Sequence, residues 1–220
     1  MPPSAHLLFY LALAWCLYWL YAADRRPRIV ILAIIIGGAH VLLAARGSYS
    51  DSTAMPPPQA LLLAPPLLAL GFLLAWPKGR AWMRGLPLFA LTAIHALRLP
   101  VELVLHEAHA AGLVPQDMTY SGFNLDILSG ISALGMMAWM RSRHPPPRTA
   151  LIAWNLCCLA LLLIVVATAS LSVPSVVQRI NFDQPNVLVT SVPWVLLPAM
   201  LVPSVLFAHV AALVQLLQER

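Results

Sequence analysis

The distribution of charge along the hydropathy pattern constrains this chain more than any motif. Apolar segments at approximately 5–23, 29–45, 59–76, 84–111, 124–140, 149–172 and 187–216 alternate with polar connections. A helix needs roughly 20 apolar residues to cross a bilayer. The second and fifth segments are short, whereas the fourth and seventh are long enough to tilt. Of the thirteen Lys and Arg residues, ten lie on one side of this pattern: Arg25, Arg26, Arg28, Lys78, Arg80, Arg84, Arg141, Arg143, Arg148 and Arg220. The opposite connections hold only Arg46 and Arg179, and Arg98 falls inside a span. Basic loops stay in the cytoplasm. The expected architecture is therefore an all-α integral membrane protein, a single seven-transmembrane helix bundle over residues 1–220. Its N-terminus would lie outside and its C-terminus in the cytoplasm.

Composition agrees. Hydrophobic residues make up 60% of the chain and charged residues only 10%. A soluble domain carries about 25% charged residues, and lipid accepts the surplus apolar surface. The net charge of +5 does not indicate nucleic acid, because the basic residues are divided among short loops. A bacterial cytoplasmic membrane is the expected location, with lipids as partners. The leader Met1-Pro2-Pro3-Ser4-Ala5-His6 lacks the basic residues of a cleavable signal peptide. Cys16, Cys157 and Cys158 form no CxxC motif and read as packing residues.

The acids are biased the other way. Asp51, Glu102, Glu107, Asp117, Asp126 and Asp183 belong to the outer half, and only Asp24 and Glu219 to the inner. Acids contribute little to orientation, so capping or a site must explain the bias. Trp19, Tyr21, Trp76, Trp82 and Trp139 fall near the inner boundary, and Tyr49, Tyr120 and Trp194 near the outer one. These are interfacial positions. Pro65, Pro66, Pro100, Pro193, Pro198 and Pro203 interrupt spans. Each removes a backbone donor, kinking a helix or shaping a cavity or hinge.

The fourth span carries the strongest constellation. His95, Arg98, Glu102, His106 and His109 fall within an arc of roughly 80° at 100° per residue. Ionisable groups in a span face the bundle interior or a water-filled cavity. Arg98 and Glu102, four residues apart, pair with each other or leave Arg98 to hold an anionic ligand. Glu102, His106 and His109 are also candidate ligands for a divalent metal, zinc or iron. They match no specific metal motif, and interfacial histidines also simply face water. No cofactor is otherwise expected.

Two further polar groups lie at the same end. Asn124 and Asp126 open the fifth span, either as caps or as partners of Arg98. Ser129, Gly130 and Ala133 would let that span approach closely. Gln184, Pro185 and Asn186 precede the seventh span, either capping it or roofing a cavity. His40 is a lone histidine in the outer half of the second span. His209 is placed near the inner end, away from the site. Gly122-x-Asn124-x-Asp126-Ile127, together with Gln184-Pro185-Asn186, resembles a pattern in uncharacterised bacterial multi-pass membrane proteins. That resemblance runs from Arg98 to His209 and implies no particular activity.

Several functions are excluded. A retinal Schiff base needs an intramembrane lysine, and the single lysine, Lys78, is in a loop. Walker A, Rossmann and G-x-S-x-G motifs are absent. Beyond the pairing of His40 with His95, nothing supports haem. Three readings stay open. The first is a protein that binds, senses or carries a small polar or amphipathic, anionic ligand through Arg98, Glu102, Asn124, Asp126, Gln184, Asn186 and His40. The second is a metal-dependent enzyme acting on a lipid-like substrate at the outer leaflet. The third is a structural subunit of a membrane complex.

The orientation is open to direct test. A fluorescent-protein fusion after Arg220 should fluoresce, and an alkaline phosphatase fusion there should be inactive. The reverse result would refute the orientation.

Overall fold

The structure, a computed structural model, describes residues 1–217. Glu219 and Arg220, assigned above to the inner side, lie outside the described residues. Those residues form eight helices and no strand: α1 (Pro3–Asp24), α2 (Arg28–Ala45), α3 (Ala60–Ala75), α4 (Pro77–Arg84), α5 (Leu88–Ala110), α6 (Ile127–Met140), α7 (Arg148–Ser172) and α8 (Leu197–Leu216). Five of these, α1, α2, α5, α7 and α8, are long and apolar enough to cross a membrane. The pair α3 and α4 adds a sixth if it counts as one span bent by 94°. This is consistent with an integral membrane protein. The fifth expected span is the shorter apolar helix α6, 14 residues and so roughly 21 Å long.

Proline sets most of the boundaries that differ from expectation. The fourth segment was expected from residue 84, but Pro87 restricts its neighbour to extended backbone and α5 starts at Leu88. Pro77 separates α3 from α4 by supplying the first turn of a new helix. Arg80 Nη1 then donates to Leu74 O at 2.5 Å, capping a freed carbonyl of α3. The seventh segment was expected from residue 187, but Leu188–Thr190 is a single 3-10 turn and the helix begins at Leu197. Its first turn, Leu197–Leu201, is wound as a π-helix that contains Pro198 and ends before Pro203. Within α5, His95–Leu97 tightens to a 3-10 turn. Pro100 offers no N–H to Ala96 O, so the regular ladder is broken there.

Helices α5 and α8 form the centre: 67% and 56% of their apolar windows are buried, against 28% for α1, 22% for α7 and 11% for α2. Helix α5 packs on α1, α6 and α8, and α8 also packs on α4 and α7. The outer helices turn large apolar side chains outward, among them Leu32 and Ile35 of α2 and Leu163 and Ile164 of α7. In water such a surface would be costly; lipid tolerates it.

The connections sort to two ends. At one end Trp82 Nε1 and Arg28 Nε each donate to Asp24 at 2.8 Å, Gln215 Nε2 donates to Met83 O at 2.9 Å, and Arg148 bonds Leu216 O. This end gathers the basic connections. At the other end Gln59 Nε2 reaches Pro174 O (3.4 Å), Val187 N reaches Leu113 O (3.0 Å) and Gln184 Nε2 reaches Val114 O (2.6 Å).

Helix α6 approaches α5 at Gly130. A Cβ built there would stand 2.5 Å from the backbone nitrogen of Leu99 and 3.0 Å from its Cα. The obstruction is backbone, so it cannot rotate away. Gly130→Ala should therefore destabilise the protein by about 1–3 kcal/mol. Gly135→Ala, with nothing within 4 Å, should be neutral or stabilising by up to about 1 kcal/mol. Thermal unfolding of both variants in one membrane mimetic checks the contrast.

Candidate functional site

The site is built where α5, α6, α7 and α8 meet around Arg98. Arg98 lies near the middle of α5, directly after the 3-10 turn, and is 2% exposed. Its Nε donates to Asp126 Oδ2 at 2.6 Å, and its Nη2 pairs with Asp126 Oδ1. This is a bidentate guanidinium–carboxylate pair, the geometry that makes arginine hard to replace by lysine. Nη2 also donates to Cys158 O at 3.0 Å, and Nη1 to His209 Nε2 at 3.2 Å. Because His209 Nε2 accepts, its Nδ1 carries the proton and donates to Asn155 Oδ1 at 3.0 Å. Asn155 Nδ2 in turn donates to Leu151 O at 2.9 Å. The chain of bonds thus runs from Asp126 through Arg98, His209 and Asn155 into the backbone of α7.

A second link joins the same elements. Asn124 Nδ2 lies 2.8 Å from both oxygens of Glu102 and 2.9 Å from Met118 O. Asn124 Oδ1 accepts the backbone N–H of Asp126 at 2.9 Å, fixing the turn that presents Asp126 to Arg98. Ser129 Oγ adds a 3.4 Å contact to Asp126 Oδ1. The i, i+4 pairing of Arg98 with Glu102 is not formed: Arg98 pairs with Asp126, and Glu102 is held by Asn124. Asn124 and Asp126 are thus partners of the α5 ridge rather than the first residues of a longer fifth helix, which begins at Ile127.

Next to this network lies a cavity of about 410 Å³ between α3, α5, α7 and α8. Its wall is largely aliphatic, with Leu162, Val165, Val166, Leu201 and Val205 among its residues. Arg98, Glu102, Asp126 and Asn186 also belong to it. The remaining candidates are elsewhere. Gln184 staples the loop at the end of α5, with Nε2 3.1 Å from His109 O and 2.6 Å from Val114 O. His40 Nδ1 bonds Tyr49 Oη at 2.6 Å, in a small cluster with Leu62, Val195 and Ala199.

The three metal candidates are not assembled. Glu102 faces Asn124. The His106 ring stacks on Tyr120 with centroids 4.7 Å apart. His109 Nδ1 lies 3.1 Å from Val114 O and 3.0 Å from Gln184 Nε2. Among the described residues, no three His, Cys, Asp or Glu side chains form a group able to hold a metal ion.

His209 requires a correction. It was expected near the inner end because the seventh span was expected from residue 187. With the helix starting at Leu197, His209 sits just past the middle of α8 and is fully buried on Arg98. Its ring stacks on His95 with centroids 3.9 Å apart. Asn155 was missed altogether. Its signal was available: it is the one carboxamide in α7, set in the otherwise apolar stretch 150–167.

The fold and the buried ion pair define the class: an all-helical protein with five or six helices suited to a membrane, organised around a polar network at its centre. The chain belongs to the family described as a domain of unknown function, DUF8737, which matches residues 55–217. Every member of the Arg98 network lies inside that match. No curated protein and no solved structure matches the chain.

Removing one partner of a buried pair leaves a charge uncompensated, at a cost of about 3–5 kcal/mol. Asp126→Leu and Arg98→Met should each lower stability by that amount, and the double variant by much less than their sum. A double-mutant cycle on thermal unfolding measures the coupling. Additive losses would show that the pair contributes nothing specific.

Proposed function

We propose that this protein is a seven-span membrane protein that binds, senses or carries an amphipathic ligand in the cavity beside Arg98. The observation that carries the reading is the cavity. Its volume of about 410 Å³ lies in the range of roughly 300–1,000 Å³ typical of small-molecule sites. Its walls are aliphatic over most of their extent, and its polar groups are few and grouped. That combination suits a molecule with an apolar body and one polar head.

The seven-span count takes α3 with α4 as one crossing and α6 as a short one. The clustering of Asp24, α4, Arg148 and the end of α8 supports a single cytoplasmic face. On this reading the cavity lies toward the outer side, because Pro57, Gln59, Ser175 and Asn186, from the opposite connections, line it. The bacterial cytoplasmic membrane is the proposed location. Pro198, in the π-wound start of α8, lines the same cavity, and α3, which contains Pro65 and Pro66, forms another wall; these would be the hinges if the ligand is carried.

The test is ligand-dependent stabilisation in nanodiscs of phosphatidylcholine, using single-chain amphiphiles with varied heads. A ligand at 100 times its Kd stabilises by about 2.7 kcal/mol. Val166→Trp, which fills the cavity from a half-buried wall position, should fold and lose that gain. Failure of every amphiphile to stabilise the wild type, or full stabilisation of Val166→Trp, would overturn the reading.

A further inference from the structure

The four sides of the cavity are not equally closed. Helices α5 and α8 pack on each other and make its back, and α3 and α7 flank it. The two flanking helices are tied at their outer ends. Gln59, just before α3, donates through Nε2 to the carbonyl of Pro174, just after α7, at 3.4 Å. Below that tie they part. Helix α3 packs on α4 and on the start of α8, and its contact with α7 is at most slight. The side of the cavity that faces away from α5 and α8 is therefore a slot between α3 and α7.

Exposure along the rim agrees. Ala64 and Leu67 of α3 and Ser170 of α7 line the cavity and are exposed, whereas Val101 of α5 and Val202 of α8 line it and are half-buried. On α3 the rim adjoins Leu68 and Phe72, and on α7 it adjoins Leu163 and Ile164, all exposed and apolar. That outer surface is the one lipid covers, so the slot opens on hydrocarbon. Inside, the charged groups already have partners: Arg98 is paired with Asp126, and Glu102 is held by Asn124. What is left uncovered is chiefly aliphatic wall. The cavity follows α7 from Leu162 to Ser170, roughly 12 Å at 1.5 Å per residue. One leaflet's share of a bilayer core is about 15 Å.

We infer that the cavity takes one acyl chain of a membrane phospholipid, which enters sideways from the outer leaflet through the slot between α3 and α7 and leaves its head at the membrane surface. The apolar chain supplies the covering that the aliphatic wall lacks, and no buried charge has to be re-paired to admit it. This rests on the reading that the cavity holds an amphipathic ligand. It adds the class of that ligand, its source in the bilayer rather than in water, and its route of entry.

The experiment is photolabelling of the full chain in phosphatidylcholine nanodiscs that contain phosphatidylcholine with a diazirine in the middle of one acyl chain. Mass spectrometry then locates the labelled residues. Leu163 and Ile164 on the outside should be labelled, and so should Val101 and Val202 at the back of the cavity. Ala64→Phe and Ser170→Phe, made separately, narrow the slot from its two exposed rims. Each should lose the labelling of Val101 and Val202 and keep that of Leu163 and Ile164, which also reports that the variant is folded. Leu68→Phe, on the outward face of α3, should change neither. Wild-type labelling confined to the outside would overturn the inference, and so would interior labelling that survives both rim substitutions. If added single-chain amphiphiles still stabilise the protein in that case, the amphipath reading stands and only the lipid and its route fall. If none does, both fall.

Discussion

A guanidinium held in the middle of an apolar bundle governs the rest of this structure. Taking Arg98 out of water costs several kcal/mol, a debt that only close and well-directed partners can offset. Asp126 supplies the counter-charge, and Cys158 O and His209 use the other directions of the fork. These partners come from three different helical segments, so satisfying one side chain fixes the positions of α6, α7 and α8 around α5. Close approach is a precondition. Gly130 lets α6 lie against the backbone of Leu99, which brings the turn bearing Asp126 within reach of Arg98. An interaction that adds little net stability can still determine which arrangement of helices is adopted.

The cavity follows from the same arrangement. Helix α3 carries Pro65 and Pro66 within it, and α8 starts with a π turn. Both helices contribute walls to the space beside the polar network. Polar side chains therefore reach the wall of a chamber that is otherwise aliphatic. A site of this composition separates two recognition tasks. Apolar contact supplies affinity without direction, and a few fixed hydrogen-bonding atoms supply direction with little affinity. Asn124 has a supporting part in this: it touches Glu102 and the backbone of Asp126 and so holds both carboxyl groups in place.

Much of this was legible in the sequence, for reasons that also mark where reading stops. Apolar runs and the spacing of His95, Arg98 and Glu102 are local properties, and local properties fix helices and their polar faces. Asn124 and Asp126 lie at the same end as Arg98, which left capping and partnership equally open; the structure pairs Asp126 with Arg98 and Asn124 with Glu102. Helix ends were less legible, because proline both ends helices and kinks them. Pro77 turned the chain by 94°, whereas Pro65 and Pro66 stayed inside α3. Misplacing the start of α8 displaced His209 from the centre to an end. The grouping of Glu102, His106 and His109 failed for another reason: each residue found a nearer partner, in Asn124, Tyr120 and Gln184. Spacing along one helix cannot reveal competitors on its neighbours.

The short 3-10 turn at His95–Leu97 has a consequence for how one stripe of residues serves several neighbours. A 3-10 turn advances about 120° per residue rather than 100°. Three residues in that form rotate the later half of α5 by roughly 60° relative to a continuous α-helix. His95 thus packs on Trp154 and His209, while Glu102 and His106 face the segment that leads into α6. A uniform helix would have aimed all of them at one partner. The local overwinding divides a single ridge into two recognition faces, and Arg98 stands at the seam.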